Sequence, residues 1–88
     1  MDQFAEVEAL SYETVEEWLV VYLSRLLKTP EENIDINQSF ESYGMDSASV
    51  IGLTGDLTEW SGLELEETVV YNHGNIAQLA RYVSGLSR

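Results

Sequence analysis

The chain has 88 residues, no cysteine and a net charge of −12. That length allows one domain, with a core too small for a deep substrate cavity, and the lack of cysteine excludes disulfides and thiolate metal sites. Ten acidic and no basic residues lie between positions 29 and 72, which disfavours nucleic acid and anionic membranes and favours proteins with basic patches. Without a signal peptide or a long apolar run, we expect a cytoplasmic monomer.

The first 11 residues show no repeat and predict a flexible leader, with the folded domain spanning residues 12–86. Thr14 and Glu17 have the spacing of a helix-capping box. Apolar side chains then recur at helical intervals and predict a first helix over residues 12–28. They are Val15, Trp18, Leu19, Tyr22, Leu23, Leu26 and Leu27.

Residues 29–46 predict a long loop pinned to the core by isolated apolar side chains. These anchors are Ile34, Ile36, Phe40, Tyr43 and Met45. Asp46 has the character of an N-cap and predicts a second helix from Ser47 to about Ser61. Its inner stripe is Val50, Leu53, Thr54, Leu57 and Trp60.

The rest of the chain predicts one short and one longer helix. Residues 66–71 are too few for a stable isolated helix and need the core to hold them. Asn75 and Gln78 are expected to cap the last helix, with Ile76, Leu79, Ala80 and Val83 facing inward. We therefore expect an all-α, four-helix bundle with three longer helices, one short helix and a long first loop. One core should contain Trp18, Leu53, Leu57 and Val83.

Ser47 is the residue with the strongest chemical interest. Its hydroxyl is predicted at the first turn of a helix, where unpaired amide groups and the helix dipole favour an attached phosphate. A serine at a helix start is most often only a capping residue. The position alone therefore does not assign a function.

The residues around Ser47 resemble the Gly-hydrophobe-Asp-Ser signature of acyl carrier proteins, here Gly44-Met45-Asp46-Ser47. Other positions between residues 14 and 86 keep the family register, among them Phe40, the leucine pair Leu53 and Leu57, the turn at 62–65 and the run 68–76. The resemblance implies that a phosphopantetheinyl transferase attaches 4′-phosphopantetheine to Ser47, supported by Asp46 and Gly44. The thiol of that group would hold acyl groups as thioesters for other enzymes, and the chain itself would not be an enzyme.

A narrower resemblance covers residues 42–47 and 52–60, which are similar to carriers paired with fatty acyl-AMP ligases in polyketide and lipopeptide assembly. It implies loading by such a ligase and delivery to a downstream synthase. The partners are expected to contact the outer face of the second helix, which has the small residues that allow close approach and two acidic ones. This face comprises Ala48, Ile51, Gly52, Gly55, Asp56 and Glu59.

Several other functions are alternatives to that of an acyl carrier. A hydrolase is disfavoured because His73 is the one histidine and no Gly-x-Ser-x-Gly motif surrounds Ser47. A calcium loop starting at Asp35 is disfavoured because Phe40 occupies the position that requires glycine, and no metal site is expected. A peptidyl carrier and a non-carrying acidic interaction module remain open alternatives.

Overall fold

Helices form the scaffold of the protein in a computed structural model that describes residues 10–86. The helices are α1 (Tyr12–Leu27), α2 (Ser47–Ser61), α3 (Val69–Asn72) and α4 (Ile76–Leu86). Within the described residues there is no strand, so the predicted all-α bundle is confirmed. Residues 1–9, most of the predicted leader, lie outside this range. No helix within it is long and apolar enough to cross a bilayer.

The first helix starts at the predicted residue and ends one residue before its predicted end, but its cap is not the predicted one. Ser11 is the N-cap, and its Oγ accepts a hydrogen bond from the Thr14 amide at 3.1 Å. Thr14 already lies inside the helix, because the extended backbone of Ser11 (φ −75°, ψ 159°) places the first turn directly after it. At the other end Lys28 adopts a left-handed conformation (φ 56°) and Pro30 follows, which stops the helix.

The long loop between α1 and α2 contains two 3-10 turns, Glu31–Asn33 and Glu41–Tyr43. The later short helix, α3, begins at Val69, three residues after the predicted start. A turn at 67–68 precedes it, and the buried Val69 and Val70 hold the helix to the core. The loop and α3 thus depend on apolar anchors, because neither has enough internal hydrogen bonds to be stable alone.

A single core lies between the helices and is closed on one side by the loop. Its members combine the predicted inner stripes with loop anchors: Val15, Leu19, Leu23, Ile34, Phe40, Val50, Leu53, Leu57, Val69, Val70, Ile76, Leu79, Ala80 and Val83. The predicted sharing of one core by Leu53, Leu57 and Val83 is confirmed, since all three are fully buried.

The two tryptophans were predicted to face inward, and the structure corrects this. Trp18 is only partly buried, and Trp60 keeps 38% of its surface exposed. Trp60 lies beside the core stripe of α2, where its ring stacks on Trp18 of α1 at 5.0 Å between centroids. Trp18 in turn stacks on Tyr22 at 5.2 Å. An aromatic column therefore covers the α1–α2 seam from outside the core.

Candidate functional site

Ser47 is the first residue of α2, as predicted, and its side chain is exposed. The preceding Asp46 caps the helix, because its Oδ1 accepts a hydrogen bond from the Ser49 amide at 2.9 Å. Gly44 ends the second 3-10 turn with a φ of 82°, a conformation that costs other residues about 1–2 kcal/mol. These two residues allow the chain to leave the turn and start α2 within three residues.

The electrostatics of this helix start favour an attached anion. The bond from the Ser49 amide lowers the pKa of the Asp46 carboxyl, which is ionised at neutral pH. The cap leaves other first-turn amides without intrahelical partners, and the dipole stabilises an anion there by about 0.3–1 kcal/mol. The Ser47 side chain makes no hydrogen bond with any residue from 10 to 86, so its hydroxyl is available to be esterified.

A groove of about 480 Å³ lies beside Ser47, within the size range of small-molecule sites. Its walls are the loop, the start of α2, and α3 with the turn that follows. They are formed by Ser39, Phe40, Glu41, Met45, Asp46, Ser47, Val50, Val70, Tyr71 and Gly74. Tyr71 is 65% exposed, so an aromatic side chain lies open at the groove. The groove could receive an elongated, partly apolar group joined to Ser47.

Backbone contacts hold the loop wall of this groove against the α3–α4 turn and the start of α4. The Phe40 amide donates to the Gly74 carbonyl at 2.8 Å, and the Ala77 amide donates to the Ile36 carbonyl at 3.0 Å. Phe40 itself is almost fully buried. Sequence reasoning identified Phe40 as an anchor but missed Glu41 and Tyr71 as groove residues. The family register of residues 68–76 is the signal that could have located Tyr71.

The predicted partner face of α2 is exposed at all six positions: Ala48, Ile51, Gly52, Gly55, Asp56 and Glu59. Its members differ in what lies next to them. A Cβ at Gly55 would meet nothing within 4 Å, whereas one at Gly52 would lie 3.8 Å from the Tyr22 hydroxyl. Asp56 accepts a hydrogen bond from that hydroxyl at 2.8 Å. Glu59 and Gly55 are therefore open to a partner, while Asp56 already has a bond within the chain.

Residues considered for other chemistry do not assemble at Ser47. His73 stacks on Tyr82 at 4.3 Å and is not among the residues that line the groove. Asp35 is the first residue of the disfavoured calcium loop, and its Oδ1 accepts a hydrogen bond from the Asn37 amide at 2.9 Å. Within residues 10–86 no group of three or more His, Cys, Asp or Glu could hold a metal ion.

Comparison with known proteins gives consistent matches to carriers. The family described as a phosphopantetheine attachment site matches residues 17–83. The acyl carrier protein TtuC of Teredinibacter turnerae is 32% identical over 75 residues, 85% of this chain and 86% of TtuC. Polyketide synthase PksL of Bacillus subtilis is 32% identical over 82 residues, 92% of this chain but only 2% of the synthase.

A solved structure shows the same fold. The free-standing peptidyl carrier protein from Acinetobacter baumannii matches with a TM-score of 0.83 at 28% identity, over 89% of this chain and 98% of that one. Acyl and peptidyl carriers are thus both among the similar proteins. Likeness of fold and sequence does not separate the two cargo classes.

The site is compatible with a covalently attached phosphopantetheine group. Ser47 offers an accessible hydroxyl, the first turn of α2 favours a phosphate ester, and the groove has room for an elongated chain. When attached, the group supplies a terminal thiol, which this cysteine-free chain lacks. Members of the matched family carry intermediates for partner enzymes and are not themselves enzymes. With most of its length matched to that family, the chain belongs to the phosphopantetheine-binding carrier proteins, whose cofactor is covalent 4′-phosphopantetheine.

Proposed function

We propose that Ser47 is the attachment residue and that the modified chain carries a fatty acyl group. A phosphopantetheinyl transferase would join the Ser47 Oγ to the phosphorus of coenzyme A that bears the pantetheine. The hydroxyl would lose its proton, the P–O bond of the pyrophosphate bridge would break, and adenosine 3′,5′-bisphosphate would leave. An acyl-AMP ligase would then load the carrier for delivery to a polyketide or lipopeptide synthase. The observation that carries this assignment is the free, exposed Ser47 hydroxyl between the Asp46 cap and the groove.

Intact-mass measurement tests the attachment residue directly. The unmodified protein is incubated with coenzyme A, magnesium and a broad-specificity transferase, and the gain of one phosphopantetheine is measured. Ser47→Ala should fold and gain no mass. Ser49→Ala is the matched control, because it removes a hydroxyl from the same helical turn but keeps the backbone amide that donates a hydrogen bond to Asp46. The assignment is wrong if Ser47→Ala is still modified, or if the wild type stays unmodified with several transferases.

The lining of the groove is mixed. Glu41 and Asp46 place two carboxylates in it, and Phe40, Met45, Val50, Val70 and Tyr71 offer apolar contact to the alkyl chain of an acyl cargo. The resemblance of residues 52–60 to ligase-loaded carriers agrees with this cargo. The second candidate is a peptidyl carrier, favoured by the match to the Acinetobacter baumannii protein, and the third is an acidic interaction module that is never modified.

Single-turnover loading separates the cargo classes. The carrier, first charged with its phosphopantetheine, is mixed with pre-formed fatty acyl-adenylate on a fatty acyl-AMP ligase, or with aminoacyl-adenylate on an adenylation enzyme. Transfer is followed by intact mass. We expect the fatty acyl product to form at least several times faster. Faster aminoacyl transfer would identify a peptidyl carrier, and an unmodified wild type would favour the interaction module.

We propose that partners contact the outer face of α2. Gly55 has open space around it, so a partner surface can approach the helix backbone there. Glu59 is exposed and available to a basic partner residue. Ala48 and Ile51 lie beside Ser47 on the same face, and Ile51 exposes 51% of its surface. An acidic residue on the same face as an exposed apolar one can orient a basic partner and give it apolar contact.

Substitutions at this face test the partner contact in the same loading assay. Gly55→Gln and Gly52→Glu should leave folding and arm attachment largely intact but slow fatty acyl loading at least severalfold, because they block close approach. Glu59→Lys should also slow loading and reduce its sensitivity to salt. Glu17→Lys is the control, since it reverses an exposed charge on α1. Equal rates for the wild type and both glycine variants would show that partners dock elsewhere.

We also propose that the carrier acts as a monomer in the cytoplasm. A net charge of −12 makes two copies repel each other, and the absence of cysteine suits a reducing compartment. Sedimentation equilibrium at micromolar concentration should give the mass of one chain. A dimer at physiological salt would contradict the proposal.

A further inference from the structure

Tyr43 uses its hydroxyl in an unusual way. The hydroxyl accepts a hydrogen bond from the Asp35 amide at 2.6 Å and donates one to the Asp35 carbonyl at 2.9 Å. A phenolic hydroxyl has one donor and can also accept, so here both capacities serve the backbone of a single residue. The side chain of Tyr43 thereby pairs with Asp35 much as a neighbouring strand would.

This pairing joins the two ends of the loop segment between positions 35 and 43. The segment includes Ser39, Phe40 and Glu41, which form the loop wall of the groove beside Ser47. Contacts with the α3–α4 turn and with the first turn of α4 hold Phe40 and Ile36 in place. The Tyr43 hydroxyl joins the two ends of the segment, and the Asp35 carbonyl that it bonds also accepts a hydrogen bond from the Gln38 amide at 3.1 Å.

The far end of the same segment leads directly into the attachment residue. Tyr43 is the last residue of a 3-10 turn, Gly44 follows in the left-handed conformation, and Asp46 caps α2. Only three residues separate Tyr43 from Ser47. A change in the position of Tyr43 therefore alters both the loop wall and the approach to Ser47.

We propose that Tyr43 is a positioning residue for the attachment reaction. This inference rests on the proposed function, in which Ser47 is the residue modified. The transferase must bind a surface made of the loop and the start of α2, and the Tyr43–Asp35 pair holds that surface in one arrangement. Tyr43 acts through the backbone of the loop and does not touch the reacting atoms.

The loss of the hydroxyl has a defined kinetic consequence. When only a fraction of molecules has the binding-competent loop, the apparent affinity of the partner falls by that fraction, while the bound complex reacts as before. Tyr43→Phe removes both hydrogen bonds, and each corresponds to roughly a two- to tenfold change in the equilibrium between the competent loop and its alternatives. Tyr43→Phe should therefore raise the KM of the transferase for the carrier at least about twofold, with kcat changed by less than about twofold.

The experiment compares Tyr43→Phe with the wild type and with Tyr12→Phe. Tyr12 is the matched control, because its hydroxyl donates to Glu16 within α1 at 3.2 Å and takes no part in the loop. Initial rates of phosphopantetheine attachment are measured against carrier concentration at saturating coenzyme A. Hydrogen exchange of the Asp35 amide is followed in the same proteins, since this amide is bonded to the Tyr43 hydroxyl.

We expect faster exchange at Asp35 and a raised KM in Tyr43→Phe, and neither change in Tyr12→Phe. An unchanged KM, or a loss in kcat alone, overturns the inference. Should Tyr43→Phe fail to fold, Asp35→Pro removes the amide donor and leaves Tyr43 in place, and Asp35→Ala, which removes only the carboxylate that accepts a hydrogen bond from the Asn37 amide, is its control. The extended Ile34 (ψ 121°) is compatible with a following proline. Asp35→Pro should also raise KM, and a wild-type KM in that variant overturns the inference. Failure of the wild type to be modified at Ser47 would instead refute the proposed function.

Discussion

The Tyr22 hydroxyl of α1 donates a hydrogen bond to the Asp56 carboxylate of α2 at 2.8 Å. This bond joins residues 34 positions apart in the chain and lies at the outer end of the Trp60–Trp18–Tyr22 stack. The exposed Asp56 carboxylate belongs to the face proposed for partners and also to the contact between the two longest helices. Glu59 is therefore the cleaner position at which to test the partner contact.

The first prediction concerns stability at high pH. Burial, with the Asp56 bond adding to it, raises the pKa of Tyr22 from 10.0 to about 12. A raised pKa means that the folded state keeps the proton longer, so this stabilisation is complete below about pH 10 and is lost as the pH rises towards 12. The wild type should lose more free energy of unfolding across this window than Tyr22→Phe, as measured by urea denaturation. Equal losses of free energy of unfolding in the wild type and Tyr22→Phe would show that the hydrogen bond between Tyr22 and Asp56 does not contribute.

Gly44 and Gly55 should respond in opposite directions to alanine. A Cβ would meet nothing within 4 Å at either position, so the difference is purely conformational. Gly44→Ala should destabilise by about 1–2 kcal/mol, because alanine must adopt a positive φ there. Gly55→Ala should stabilise by about 0.5–1 kcal/mol, because glycine is costly inside a helix. Thermal and urea unfolding of both variants check this, and a neutral Gly44→Ala would show that the loop relaxes around it.

Truncation of a core leucine should be costly. Leu57 is fully buried, whereas Ile51 on the opposite face of α2 exposes 51% of its surface. Leu57→Ala should lower the free energy of unfolding by about 2–5 kcal/mol through lost burial and a residual cavity. Ile51→Ala should change it by no more than about 0.5 kcal/mol. Urea denaturation of the pair provides the measurement, and similar losses in both would mean that the faces of α2 are misassigned.

The cap of α2 should show a pH dependence of its own. The bond from the Ser49 amide lowers the pKa of Asp46 below 3.8, so its stabilising effect is present above that pH and is lost as the pH falls through the folded-state pKa. Asp46→Asn keeps a capping oxygen but does not ionise. The wild type should therefore have the higher free energy of unfolding near neutral pH, and its difference from Asp46→Asn in urea denaturation should become smaller below about pH 4. A difference in free energy of unfolding that stays constant into acid would contradict the role of the Asp46 charge.

Helical periodicity predicted most of the scaffold and the position of the site. The stripes that contain Leu53, Leu57 and Val83 are buried because a period of 3.6 residues places them on one side of each helix. Asp46 and Ser47 were found at the start of α2 because capping is a local interaction between residues close in the chain. Local preference and burial agree at these positions, so the sequence was enough to identify them.

Contacts between distant residues were decided only by the tertiary structure. Glu41 and Tyr71 reach the groove beside Ser47 because the loop docks on the α3–α4 turn through backbone bonds that no side-chain pattern encodes. Trp60 has the periodicity of a core residue but lies outside the core, since stacking on Trp18 depends on how α1 and α2 are placed. The pairing of Tyr43 with Asp35 likewise depends on the folded path of the loop. Periodicity reports only which side of an element is apolar, whereas the partner of each side chain is set by packing between elements.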